Sequence, residues 1–214
     1  METAQIDFFE KISNGFGPSG FEHEVLKIVN DYVTPVSDRV QRDKMGSLLF
    51  SSEGSCERPT ILLPGHVDEV GFIVSSINDR GFLTFLPLGG WFDQVLLGQR
   101  VIVRTPDGDR QGVIASKPPH LMGPDERNKV ISKDSMFIDL GCSNKREAEA
   151  LGVRTGDPVV PASIFSTFDK PVFPDSEHGD KNDTAAGDTA KPEYQQLAIG
   201  KAFDDRVGAF IAAE

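Results

Sequence analysis

Residues 62–87 read LLPGHVDEVGFIVSSINDRGFLTFLP, and two textures meet within them. On the N-terminal side, Thr60–Leu63 is a short apolar run, suited to a strand buried on both faces, and Pro64-Gly65 closes it. His66 and Asp68 follow at once. They stand two residues apart, so extended backbone points both side chains the same way. On the C-terminal side, Phe72–Ile77, Asn78–Gly81 and Phe82–Pro87 read as strand, turn, strand.

The second texture continues downstream. Leu96–Thr105, Pro106–Asp109 and Arg110–Ala115 repeat the strand-turn-strand pattern, and Met136–Leu140 and Pro158–Phe165 supply further strands. One short helix interrupts them, with Ser143 as its cap, Ala148 and Leu151 to pack and Gly152 to end it. Many short strands with Gly and Pro turns form a small barrel or a sandwich.

Upstream the pattern is helical. Ile6, Phe9 and Ile12 predict a helix over 3–14, broken by Asn14-Gly15-Phe16-Gly17-Pro18. Ser19 with Glu22 reads as a capping box. The helix it opens would bury Phe21, Val25, Ile28 or Val29, and Tyr32, and Thr34-Pro35 ends it. Val36–Val40 and Ser47–Ser51 are strands around a turn at Asp43–Gly46. Far downstream, residues 174–193 (PDSEHGDKNDTAAGDTAKPE) are polar and acidic and predict an exposed or disordered loop. Periodicity resumes near Gln195, and Phe203–Arg206 leads into helical turns over Val207–Glu214. An apolar helix with little beyond it to pack against predicts an incomplete domain.

Composition narrows the function. Hydrophobic residues make up 38% of the chain and charged residues 26%, with 15 phenylalanines, so a folded core is expected. The 214 residues suffice for one large core or two smaller ones. Lysine plus arginine number 22 against 33 acids, a formal net charge of −11, and no basic stripe occurs, which argues against nucleic-acid binding. No apolar run approaches the roughly 18 residues of a membrane span. The N-terminus does not read as a secretory signal, and Cys56 and Cys142 form neither a disulfide framework nor a paired metal spacing. A cytoplasmic location is expected.

Chemistry concentrates at two places. An imidazole can bind a metal through one nitrogen while the other donates its proton to a carboxylate, so Asp68 would hold His66 in the right tautomer. A hydrogen-bonded pair that merely fixes a turn fits HxD equally. In GKAFDDRVG (200–208), Asp204 and Asp205 are adjacent carboxylates that need compensation, from Arg206 or from a bound cation. A solvated helix N-terminus also accommodates acids. Of the other histidines, His23 and His178 read as surface residues and His120 as a turn or cleft residue. No P-loop, GxSxG or HExxH occurs.

Taken together, GFGPSGFEHEV (15–25), DKMGSLL (43–49), LLPGHVDEVGF (62–72), GGWFDQVLLGQRV (89–101), KPPHL (117–121), FIDLG (137–141), LGVRTGDPV (151–159) and GKAFDDRVG (200–208) resemble, in order and over nearly the whole chain, the M42 family of metallo-aminopeptidases. The resemblance implies an α/β fold. A metallopeptidase domain of the phosphorylase/hydrolase type, here 1–72 plus 166–214, would carry an inserted β-barrel-like dimerisation domain at 73–165. It implies two divalent ions, zinc or cobalt, peptide substrates trimmed from the N-terminus, and assembly as dimers and often dodecamers. His66 matches a metal ligand, Asp68 the catalytic carboxylate that orients it, and Asp204 the carboxylate shared by both ions. Asp205 matches a variable position. The family's base, the first of two consecutive glutamates, and the remaining ligands have no counterpart before Glu214. The catalytic domain is therefore expected to be truncated, with little activity of its own. A non-catalytic peptide-binding or assembly protein of the same fold is the alternative. A glycosidase would need paired acids flanking a sugar cleft. Residues 174–193 depart from the family pattern in length and polarity.

Overall fold

The computed structural model describes residues 2–56, 58–172 and 192–214. The acidic stretch 174–193 lies outside them except for Pro192 and Glu193.

Two helices open the chain, α1 (Thr3–Asn14) and α2 (His23–Val33). The expected face of α1 is broader than a three-residue repeat, because Phe8 is buried beside Phe9 and Ile12. In α2 the buried residues are Val25, Val29 and Val33, a four-residue repeat along one side. The capping box expected at Ser19 and Glu22 does not form. Ser19 donates its hydroxyl to Asp68, and Glu22 accepts the Gly20 N–H at 2.6 Å, each claimed by a nearer partner than the helix end. Thr34–Val36 is a 3-10 turn, so the next strand starts later than expected: β1 (Arg39–Arg42) pairs antiparallel with β2 (Leu48–Ser51). Asp43 closes the turn between them by accepting the Met45 and Ser47 N–H groups.

The strand expected at Thr60–Leu63 is absent. Ile61, Leu62 and Leu63 are 77%, 72% and 64% exposed. A doubly buried strand needs neighbours on both edges, and among the described residues none pairs with this run.

From Gly71 the chain builds a closed antiparallel barrel. Its strands are β3 (Gly71–Ile77), β4 (Leu83–Leu88), β5 (Arg100–Thr105), β6 (Gly108–Ala115), β7 (Phe137–Asp139) and β8 (Pro158–Pro161). Their order around the barrel is β3-β4-β7-β6-β5-β8. Phe72, Val74, Leu83, Phe85, Val101, Val103, Ile114, Ile138 and Val159 fill the interior, one from every second position, as a small barrel requires. Leu96, expected within a strand, is instead a fully buried plug before β5. Two short helices, α3 (Pro124–Arg127) and α4 (Lys145–Ala150), flank β7. The cap of α4 is Asn144 rather than Ser143: the Asn144 side chain accepts the Glu147 N–H at 3.0 Å. Gly152 has φ +85°, the left-handed stop expected after that helix.

Beyond the barrel, β9 (Ser166–Val172) and β10 (Glu193–Ile199) form an antiparallel ribbon, registered Ser166 to Ile199, with most of its residues exposed. The chain then enters α5 (Phe203–Ala213), whose regular turns begin after non-helical Asp204 and Asp205. A second core lies here. Phe9 meets Phe203, Phe210 and Phe165 with ring centroids 5.1, 5.2 and 5.4 Å away, and Tyr32 stacks on Phe8 at 3.8 Å. Among the described residues no helix is long and apolar enough to cross a membrane.

Candidate functional site

His66 and Asp204 come together where the start of α5 crosses the segment after Pro64. The crossing is close because residue 65 is glycine: a Cβ there would lie 2.6 Å from the Ala209 nitrogen and 2.8 Å from its Cα. The His66 N–H donates to Asp205 Oδ2 at 3.3 Å, and Asp205 Oδ1 accepts the Gly208 N–H at 3.2 Å. Asp205 is thus occupied with backbone, capping the regular part of α5.

Asp204 is free of such duties. Its side chain is 99% exposed, and Oδ1 lies 3.5 Å from His66 Nε2. On the other side of the ring, His66 Nδ1 lies 2.8 Å from Asp68 Oδ1. Asp68 Oδ2 accepts the Ser19 hydroxyl. With Nδ1 tied to a carboxylate, a ring that took a cation on Nε2 would keep its proton on Nδ1. The structure therefore brings together all three residues singled out in the sequence, His66, Asp68 and Asp204. It does not bring the others: His23 and His120 are exposed elsewhere, and His178 lies outside the described residues.

An imidazole nitrogen and a carboxylate facing one another are donors of the right kind for a divalent ion such as zinc. They are too few to close a site. Among the described residues no group of three or more His, Cys, Asp or Glu side chains is arranged to hold an ion.

Arg206 does not compensate the adjacent carboxylates, as its position in the sequence invites. It points inward and is fully buried. Its Nε donates to the Val67 carbonyl at 2.7 Å, and Nη1 donates to the Ile12 and Gly15 carbonyls at 2.7 and 2.8 Å. Its Nη2 lies 3.3 Å from Glu69 Oε1. Glu69 is 3% exposed and also takes Lys201 Nζ at 2.5 Å and the Gly17 N–H at 3.2 Å. Burial draws the Lys201 ammonium and the Arg206 guanidinium below their ordinary values, and the Glu69 carboxylate opposes both shifts. Sequence reasoning passed over Glu69 and Lys201. The available signal was that charged residues flank both HVD and FDD, inside otherwise apolar stretches.

The chain is similar in sequence and fold to known proteins. The profile of the M42 glutamyl aminopeptidase family matches residues 46–180. The TET aminopeptidase of the marine sediment archaeon Thaumarchaeota archaeon SCGC AB-539-E09 has a similar structure, with a TM-score of 0.82 and 46% identity, covering 98% of this chain and 52% of that one. The lysyl aminopeptidase of Pyrococcus furiosus is 35% identical over 153 residues, 70% of this chain and 43% of its own length. The TET1 peptidase of Pyrococcus horikoshii, which can assemble into a tetrahedron or a large octahedral shell, matches with a TM-score of 0.66 and 32% identity, over 76% of this chain and 48% of its own. The chain thus spans about half the length of the relatives it matches. With that profile covering most of its length and with those relatives, this chain belongs to the M42 peptidase family.

Proposed function

We propose that the protein is a metal-dependent aminopeptidase that removes N-terminal residues from peptides, and that this chain supplies one part of its active site. The observation that carries the reading is the approach of His66 Nε2 to Asp204 Oδ1 at 3.5 Å from segments far apart in sequence, with the opposite ring nitrogen already held by Asp68. In this reading His66 and Asp204 are metal ligands. Asp68 would keep the ring in the tautomer that leaves Nε2 free, and Asp204, with its exposed carboxylate, would help hold a pair of ions, zinc or cobalt. Such ions, when bound, lower the pKa of a coordinated water and polarise the scissile carbonyl. The chain's own contribution is to aim the two donors at one point and to hold the proton of His66 on Nδ1.

The division of labour we propose is a catalytic unit of residues 1–72 and 166–214 around an insert at 73–165. It is supported by the barrel, whose first and last strands run from Gly71 and to Pro161. Assembly into a homo-oligomer is supported by the likeness to the shell-forming TET1 peptidase.

The test is calorimetric titration of the purified chain with Co²⁺ and Zn²⁺, beside His66→Ala and Asp204→Ala. We expect each substitution to weaken binding by at least about tenfold, since each removes a ligand outright. Unchanged affinity and stoichiometry in His66→Ala would remove the assignment.

A further inference from the structure

Building on the site described above, we propose that Arg206, held by Glu69, is a positioning residue that sets the separation between His66 and Asp204. Its guanidinium touches three segments at once: α5, the stretch after Pro64 and the end of α1. Arg206 follows Asp204 by two residues, and its Nε donates to the carbonyl of Val67, the residue next to His66, at 2.7 Å. Nη1 takes the Ile12, Ser13 and Gly15 carbonyls at 2.7, 3.2 and 2.8 Å, at the end of α1. Nη2 reaches the Gly17 carbonyl at 3.4 Å and Glu69 Oε1 at 3.3 Å. All of this happens at zero exposure, so a lost partner would leave a buried donor unsatisfied.

The planar fork explains why an arginine occupies the position. Its donors leave at fixed angles, so satisfying them fixes the relative placement of the segments that accept. A lysine ammonium is a single point and spans no such gap. Gly17 completes the fit, because a Cβ there would come within 2.9 Å of Nη2. The same loop carries Ser19 to Asp68, so the fork also registers the group that orients His66. Glu69 balances the buried cations, taking Lys201 as well as Arg206, and accepts the Gly17 N–H.

A residue that only supports the fold would cost stability when changed and leave the geometry of the folded site intact. The clamp predicts more. In the whole 214-residue chain, Arg206→Lys is expected to weaken Co²⁺ binding by about 10–100-fold and to alter the visible spectrum of the bound cobalt, the range found when groups behind a ligand are removed. In the metal-free protein, the ring ¹³C and ¹⁵N signals of His66 are expected to shift from their positions in the unaltered chain. Ile138→Val, in the barrel interior, lowers stability without these changes and serves as the control. Should Arg206→Lys fail to fold, Glu69→Gln keeps the shape and is read by the same titration and spectra. A folded Arg206→Lys or Glu69→Gln protein with native cobalt affinity, cobalt spectrum and His66 signals would overturn the clamp. His66→Ala separates the two ideas. If that variant also binds normally, the site assignment itself falls; if it loses binding while Arg206→Lys does not, only the clamp falls.

Discussion

At His66 the imidazole is held from one side and open on the other. Asp68 receives Nδ1 at 2.8 Å and the Ser19 hydroxyl on its second oxygen, so its charge is directed at the ring. A carboxylate in that position fixes the ring plane. Asp68→Asn is therefore expected to lower Co²⁺ affinity by about 10–100-fold while the chain stays folded, as titration and circular dichroism would show. Affinity equal to the unaltered chain would mean that something other than Asp68 orients the ring. The HxD pair was legible in the sequence because alternation along extended backbone puts residues two apart on one side. Asp204 carried no comparable local signal, and only the ordered family motifs raised it above its neighbour. Arg206 was misleading for a physical reason. Adjacent residues at a helix start do not face each other, so proximity in sequence to Asp204 and Asp205 said nothing about pairing. Its true partners are Glu69 and the carbonyls of Ile12, Ser13, Gly15, Gly17 and Val67, and backbone carbonyls leave no mark in composition.

Between elements, the decisive contact is α5 against residues 64–67. Gly65 permits it, since any side chain would meet backbone of Gly208 and Ala209 rather than a movable side chain. Gly65→Ala should push α5 away, costing about 1–3 kcal/mol by overpacking and lengthening the His66–Asp204 approach. The matched control is Gly90→Ala, where a Cβ would meet nothing within 4 Å. Chemical denaturation and cobalt titration of the two variants should separate them, with both stability and affinity reduced in Gly65→Ala alone. Equal behaviour would show that the crossing is not tight in solution. Elements were legible where period and punctuation agreed, as in β3 to β6 with their Asn78–Gly81 and Pro106–Asp109 turns. They were not where pairing is supplied from elsewhere. Thr60–Leu63 has strand composition without a strand neighbour among the described residues, and β9 (STFDKPV) has a partner, β10, but no apolar alternation because it has no core face to fill.

For the whole molecule, the barrel core and the helical core are separate clusters, and polar contacts join them. Arg104 of β5 makes one of them. It pairs with Glu24 of α2, donates to Asp109 of β6 from Nε at 2.8 Å, and lies over the Phe16 ring at 4.0 Å. Asp109 is held below its ordinary carboxylate value by the Arg104 hydrogen bond. A carboxylate depressed in the folded state stabilises above its unfolded pKa, near about 4, and loses that contribution as pH falls through the lower folded value. Arg104→Ala should therefore cost about 1–3 kcal/mol at pH 7, from the lost ion pairs and ring contact, and the difference from the unaltered chain should narrow as pH falls below about 4. A difference independent of pH would assign the effect to the ring contact alone. The same variant tests how the cores are coupled. Trp91 is the single tryptophan, stacked on Phe72 with its Nε1 donating to the Gly71 carbonyl at 3.1 Å, so its fluorescence follows the barrel. The long helices α1, α2 and α5 lie outside the barrel and dominate the helical circular dichroism. In the unaltered chain the two signals should be lost together in urea, and in Arg104→Ala the helical signal should be lost first, because only one of the two cores is a closed structure. Coincident loss in the variant would show that the close approach of Gly71 to Pro18, where a Cβ would come within 2.9 Å, couples the cores without Arg104.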